Sequence, residues 1–241
     1  MLMVIDVSGL IHADWAVVGN DAAKSTESRI KNAVLLNKPD RYFLAFDHPQ
    51  SERKRIWAGY KRDRPEKEPG LEEQMRALWV SMSKQVPCYC VPGWEADDII
   101  ATVCRIKDNE EPEKVLVYSG DSDLFQILEK GRVSVLRRFK DGSPVYMTAE
   151  GLEAKYGLRP DQWVDFLVLK GKTGQWPGAQ GVGEKTAASL LKRTTLDKIL
   201  ENPEAIPGRI ARTAQVDAIM QMAPMVPVAR QVLTLRDDLE L

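Results

Sequence analysis

The chain has 241 residues, 44% of them apolar and 29% charged, with a formal net charge of −1. That length carries one large domain or a domain with a small appendage; the apolar share allows a real core, and the charge keeps the surface soluble. Cys88, Cys90 and Cys104 with His12 and His48 are too few for a disulfide framework or a zinc constellation, which leaves reduced thiols in a cytosolic protein.

In chain order, "LMVIDV" opens as a buried strand ending near Asp6; with an early acid and no basic lead it is no signal peptide. Residues 26–37 carry apolar positions at helical spacing, and "RYFLAFD" is a second strand ending in Asp47. Residues 51–64, "SERKRIWAGYKRDR", hold six Lys or Arg against two acids, with Trp57 and Tyr60 interleaved. This stretch is either a solvated helix face or a nucleic-acid contact, with cations for phosphate and aromatics for bases. Helical patterns follow at 71–83 and 96–106, then a third strand, "KVLVYSGD", with Asp121 and Asp123 at its end, and a candidate fourth, "VSVLRR". Strands alternating with helices imply an α/β class with a mostly parallel central sheet flanked by helices. From about residue 148 short helical patterns separated by Gly and Pro take over, so the expected division is an α/β body at 1–147 and a helical part at 148–241. Trp79, Trp163 and Phe166 lie on apolar helical stripes and are expected in the core. No apolar run approaches the roughly 20 residues that span a bilayer, so no membrane partner is expected.

The acids form a pattern. Acids in a first helical turn suit the helix dipole, which explains Glu95 in "GWEADDIIATV" better than it explains the adjacent, mutually repelling Asp97 and Asp98. Ligands of open parallel sheets gather beyond the carboxyl ends of the strands. That topology lets seven carboxylates, Asp6, Asp47, Glu95, Asp97, Asp98, Asp121 and Asp123, converge on one edge. Such a cluster repels itself and raises its own pKa values unless a hard cation neutralises it, and Mg²⁺ or Mn²⁺ suits a carboxylate-only donor set. Near the other end, "GAQGVGEKTAASLLK" at 178–192 puts small residues in a turn before an amphipathic helix, either simple helix packing or exposed amides for a phosphate.

In this order, "VID", "FD", "EADD", "GDSD" and "PGAQGVGEKTA" resemble the bacterial and phage 5′-nucleases, the flap endonuclease superfamily that includes the 5′-3′ exonuclease domain of DNA polymerase I. The resemblance runs from about residue 3 to 235, and the absence of a following polymerase domain suggests a free-standing nuclease. It implies that the seven acids bind about two divalent ions, which activate water to hydrolyse phosphodiesters at or near the 5′ end of DNA. It implies a helical arch over about 48–72, with Tyr60, Lys61, Arg62 and Arg64 contacting the single strand. Lys61, Arg53 and Arg55 would orient the scissile phosphate. A helix-hairpin-helix element over about 165–195, matched by Gly181, Gly183, Lys185 and Thr186, would grip duplex, with a K⁺ ion held by backbone carbonyls. The implied partner is DNA with a 5′ single-stranded end or flap joined to duplex. The protein is expected to be a monomer in the cytoplasm of a bacterial or phage-infected cell.

The resemblance fails at one place. Where family members typically carry two Asp in a segment like "GDxxDNIPG", residues 171–178 read "GKTGQWPG", with Lys172 beside a deleted acid and Gly174 in place of the other. Three readings stand here: one tightly held ion with a second recruited by substrate, Lys172 substituting for that ion, or lost catalysis in a branched-DNA binder. An RNase acting on RNA–DNA hybrids is a further alternative.

Overall fold

A computed structural model describes residues 1–63, 68–106, 113–206, 208 and 210–241, with Pro69 described by its backbone alone; Arg64 lies outside the described residues. In chain order the elements are β1 (Leu2–Asp6), α1 (Val7–Val18), α2 (Ala22–Asn37), β2 (Arg41–Ala45), α3 (Arg53–Ile56), α4 (Pro69–Met82), β3 (Cys88–Tyr89), α5 (Ala96–Arg105), β4 (Val115–Tyr118), β5 (Val133–Lys140), β6 (Ser143–Met147), α6 (Ala149–Tyr156), α7 (Trp163–Lys170), α8 (Glu184–Leu191), α9 (Leu196–Glu201), α10 (Thr213–Met222) and α11 (Val226–Leu233). They divide into two compact units: Met1–Ser51, Pro65–Thr148 and Arg236–Leu241 make the first, Glu52–Arg64 and Ala149–Leu235 the second.

The first unit is built on a sheet with strand order β3-β2-β1-β4-β5-β6. All pairings are parallel except β5 with β6. Every residue of β1 and of β4 is buried, the continuous apolar pattern of strands covered on both faces. After β1 the chain adds β2 and β3 on one side and then returns to place β4 against the other side of β1. The strand order therefore reverses between β1 and β4, and the crevice beyond their carboxyl ends is where such sheets bind ligands. The core packs Met3, Ile5, Leu44, Leu116 and Tyr118 of the sheet against Leu10 and Ile11 of α1, Ile30 of α2 and Leu78 of α4, with Trp79 half-buried at its border. Helix α1, the two-residue edge strand β3 and the antiparallel β6 are additions to the expected elements. No helix among the described residues is long and apolar enough to cross a membrane.

The second unit is helical. Trp163 and Phe166 on α7 are fully buried, with ring centroids 4.6 Å apart and Tyr156 against both. Arg230 of α11 ties α7 to α9 through Asp165 and Asp197, with four bonds of 2.7–3.1 Å. Within the span expected to form an arch, the described residues show the single helical turn of α3, a run of turns over 58–63, and then the start of α4. Gly59 and the positive φ of Lys61 (51°) break any helix there.

Candidate functional site

The acids of the first unit collect at the strand reversal. Asp6 is the last residue of β1 and also the N-cap of α1: its Oδ1 accepts from the Gly9 amide at 2.8 Å. Its other oxygen accepts from the Ser119 hydroxyl at 2.7 Å, just beyond β4. Ser119 Oγ in turn accepts from the Asp121 amide at 3.0 Å, and Asp121 Oδ1 accepts from the Asp123 amide at 2.9 Å. One chain of hydrogen bonds thus joins the ends of β1 and β4. On the β2 side, Ser8 Oγ accepts from the Asp47 amide at 2.8 Å, while Asp47 Oδ1 accepts from the amide of Ala96, the first residue of α5.

Helix α5 separates its two adjacent aspartates. Successive side chains on a helix point about 100° apart, and here the two directions serve different ends. Asp98 is fully buried and its two oxygens accept from the backbone amides of Glu95 (3.1 Å) and Arg236 (2.8 Å). It closes the first turn of α5 and fastens the C-terminal segment to it. Asp97 is half-buried and joins Asp121 and Asp123, so that carboxylate oxygens of the three lie within 4.8 Å of one another. Among the described residues these form the one group of three or more such side chains drawn close enough to share an ion.

The charge is felt. Burial pushes the Asp6 carboxyl up to about 7; the Asp47 charge adds most after burial, the Gly9 and Ser119 hydrogen bonds oppose it, and Asp121 adds a little. The Asp97 carboxyl is held well above the ordinary range by loss of water and then by Asp121, Asp6, Asp123 and Asp47 in turn. Five carboxylates therefore act on one another, and hard divalent cations are the ions that all-oxygen, carboxylate-rich donor sets take. Glu95 is the N-cap residue of α5 and is buried.

Sequence reasoning misses Ser8 and Ser119, both buried. "YSGD" offers a signal in retrospect, a lone hydroxyl directly before the acids at a strand end. It also misses Gly9, where a methyl group would run into the Asp6 carboxylate, its Cγ 3.0 Å away. Gly9→Ala is accordingly expected to cost about 1–3 kcal/mol through overpacking and to weaken any divalent-cation-dependent rise in melting temperature, which scanning calorimetry with and without Mg²⁺ will read.

In the second unit the basic stretch divides between surface and interior. Arg53 is 3% exposed, with Nε donating to the Val232 carbonyl at 2.8 Å and a terminal nitrogen to Thr234 O at 3.2 Å, so its guanidinium serves the end of α11. Tyr60 is 1% exposed and is not available to stack on a base in this arrangement. Lys61 is half-buried, with its ammonium 5.1 Å from the Tyr60 ring centroid and its amide donating to Gly174 O at 2.6 Å. Arg55 and Arg62 are exposed, each beside one acid: Glu52 at 3.0 Å and Asp63 at 3.1 Å. Lys172 is half-buried in a tight turn in which its carbonyl accepts from the amides of Gln175 and Trp176, both at 2.9 Å.

The turn before α8 has Gly181 at φ 76° and Gly183 as N-cap. Gly181, Gly183 and Lys185 are exposed and Thr186 is half-buried at the start of this helix. The Gly181 carbonyl accepts from the Gln215 side-chain amide at 2.6 Å.

Residues 1–157 match the model of the 5′-3′ exonuclease N-terminal resolvase-like domain, and residues 158–241 match that of the 5′-3′ exonuclease C-terminal SAM fold. A 5′-3′ exonuclease of Aquifex aeolicus is 33% identical over 76% of this chain, which spans 63% of that protein's length. The flap endonuclease Xni of Edwardsiella ictaluri is 28% identical over 100% of this chain and 93% of its own. The T5 5′-exonuclease with bound zinc shares the fold, with a TM-score of 0.79 at 18% identity over 98% of this chain and 89% of that one. With family models covering both parts of the sequence, the chain belongs to the 5′-3′ exonuclease family.

Proposed function

We propose that this protein is a structure-selective 5′-nuclease that hydrolyses phosphodiesters at or near the 5′ ends or flaps of DNA with Mg²⁺ or Mn²⁺. The observation that carries the proposal is the trio Asp97, Asp121 and Asp123, carboxylate oxygens within 4.8 Å, at the strand reversal of a 5′-3′ exonuclease family member. The donor set fits the ion: carboxylates alone, with Asp6 and Asp97 resisting ionisation through burial and then through the charge of the neighbouring carboxylates.

A divalent cation held there supplies Lewis acidity to the phosphodiester and a lowered pKa to water. The protein's part is to hold that charge in place. Asp97, Asp121 and Asp123 would hold it. Asp6 and Asp47, each fixed by a backbone amide, add negative charge around them, and Glu95 is a further candidate ligand. Asp98 supports the site by fixing the first turn of α5. Residues 171–178 carry Lys172 and no acid, and the seven acids all lie in the first unit.

Nucleic acid is the second unit's task. The exposed Arg55 and Arg62 and the half-buried Lys61 are the phosphate contacts of the basic stretch, and the Gly181–Thr186 turn with Lys185 grips the duplex backbone. The helix-hairpin-helix reading of α7, α8 and the turn between them belongs to this proposal. The potassium ion implied by the resemblance belongs to it as well, held by backbone carbonyls of that element.

The test uses a 5′-labelled flap duplex in EDTA, Mg²⁺ or Mn²⁺, beside a matching RNA–DNA hybrid. Cutting of the DNA flap in either metal, absent in EDTA, is the expected result. Tight flap binding with no product in any metal would leave a branched-DNA binder, and faster cutting of the hybrid would move the substrate to RNA.

A further inference from the structure

We infer that the second unit carries a subsite for one nucleotide of single-stranded DNA, the base stacking on Trp57 and the phosphate held by Lys170, Lys172 and Arg62. The inference rests on the nuclease reading above and specifies how a single strand would be told from duplex.

A cleft of about 770 Å³ lies between the turns at 57–63 and the loop at 170–177. It is large enough for a nucleotide, since small-ligand sites run from about 300 to 1,000 Å³. Its charged lining is three cations, Arg62, Lys170 and Lys172, against one acid, Asp63. Its aromatic lining is Trp57 and Trp176, with ring centroids 5.1 Å apart and planes at 60°.

The walls are fixed in place. Trp176 is 5% exposed, and its indole nitrogen donates to Val168 O at 3.1 Å, so it serves as a rigid backing for the half-buried Trp57. The Lys61 amide bonds to Gly174 O at 2.6 Å and joins the two walls through backbone. The loop is pinched at its base by Gly171 and Gly178. Both have positive φ, and their backbones approach so closely that a Cβ on Gly171 would meet the Pro177 carbonyl oxygen at 2.6 Å. Lys172 and Trp176 then pair across the loop as an isolated antiparallel bridge. A cleft rigid in its backbone, with a supported indole and clustered cations, is preorganised for a ligand that is flat at one end and anionic at the other.

A nucleotide has that form. Bases stack on aromatic side chains, and cations bind the neighbouring phosphate. A base inside duplex already has both faces stacked and offers none to an indole, so the preference falls on unpaired DNA.

Binding in EDTA, read by fluorescence anisotropy, separates the roles. One DNA carries a 5′ single-stranded flap; the other is the same duplex nicked without a flap. Trp57→Ala and Lys172→Ala are each expected to weaken flap binding about tenfold and to leave the nicked duplex unchanged, while Trp57→Phe, which keeps an aromatic face, restores flap affinity. A loss equal on the two DNAs, or no loss on either, overturns the subsite. If Trp57→Ala does not fold, Lys172→Ala and the Trp57→Phe variant decide by the same comparison. Wild-type protein that binds neither DNA overturns the nuclease reading itself, an outcome distinct from flap binding that ignores Trp57 and Lys172.

Discussion

Replacing Asp97 with Asn is expected to reduce cleavage of a flap duplex by at least about a thousandfold, equivalent to ~4 kcal/mol of barrier, and at the same time to raise the melting temperature of the metal-free protein. The two effects share a cause. Asp97 resists ionisation because it is cut off from water and then crowded by Asp121, Asp6, Asp123 and Asp47, so a neutral isostere removes the cost of that charge together with a ligand. Its neighbour predicts the reverse for stability. Asp98 accepts from the Glu95 and Arg236 amides with its two oxygens. In Asp98→Asn one of those amides would face an NH₂ group, at a cost of about 1–3 kcal/mol for a buried donor left unpaired. For a protein of this size each kcal/mol is about 2–4 °C in melting temperature. Differential scanning calorimetry in EDTA, with single-turnover cleavage in Mg²⁺, gives both readouts. Equal stability changes of the same sign in the two variants would refute the division of labour between these adjacent residues.

The metal-free protein is also expected to become more stable as the pH is lowered from about 8 to about 5. The Asp6 carboxyl is raised from 3.8 to about 7 in the folded state. Below 3.8 it is protonated whether folded or unfolded and costs nothing. Between 3.8 and about 7 the unfolded chain releases the proton while the folded one retains it, so stability falls as pH rises through that window and stays reduced above it. A tenfold change in proton affinity corresponds to about 1.4 kcal/mol, so the effect amounts to a few kcal/mol. Because protons and divalent cations compete for the same oxygens, Mg²⁺ is expected to raise the melting temperature more at pH 8 than at pH 5. Calorimetry over this range with EDTA or Mg²⁺ measures both slopes. A metal-free melting temperature that rises with pH through the window would contradict the crowded-carboxylate picture.

The strand ends were the most readable part of the chain. Asp6, Asp121 and Asp123 follow strand-forming apolar runs, and such runs mark their own carboxyl ends. The helix beginning at Ala96 was readable too, from acids followed by apolar spacing. The directions of side chains were not. Nothing in "EADD" distinguishes Asp97 from Asp98, because the distinction comes from the Arg236 amide, 138 positions away. Arg53 reads as a surface cation in a basic run, yet carbonyls 179 and 181 positions on draw it inside. Tyr60 likewise carries no local sign of its burial. Ser8 and Ser119 are ordinary residues until the sheet brings Asp47 and Asp6 to them. Strand β3 has only two residues, and β6 carries Pro144, which weakens any strand signal, so both are defined by their partners.

The loop from Gly171 to Gly178 behaves as a socket with an exchangeable tip. Its base is closed by main-chain contact between two glycines, which admits no side chain. Beyond Lys172, Thr173 and Gly174 reach solvent, and a change of charge there alters no part of the frame. Only Gly174 resists, since its φ of 72° makes any other residue pay about 1–2 kcal/mol. A single mutational step at Lys172, as to Glu, therefore reverses the sign of this loop while its main-chain frame is unchanged.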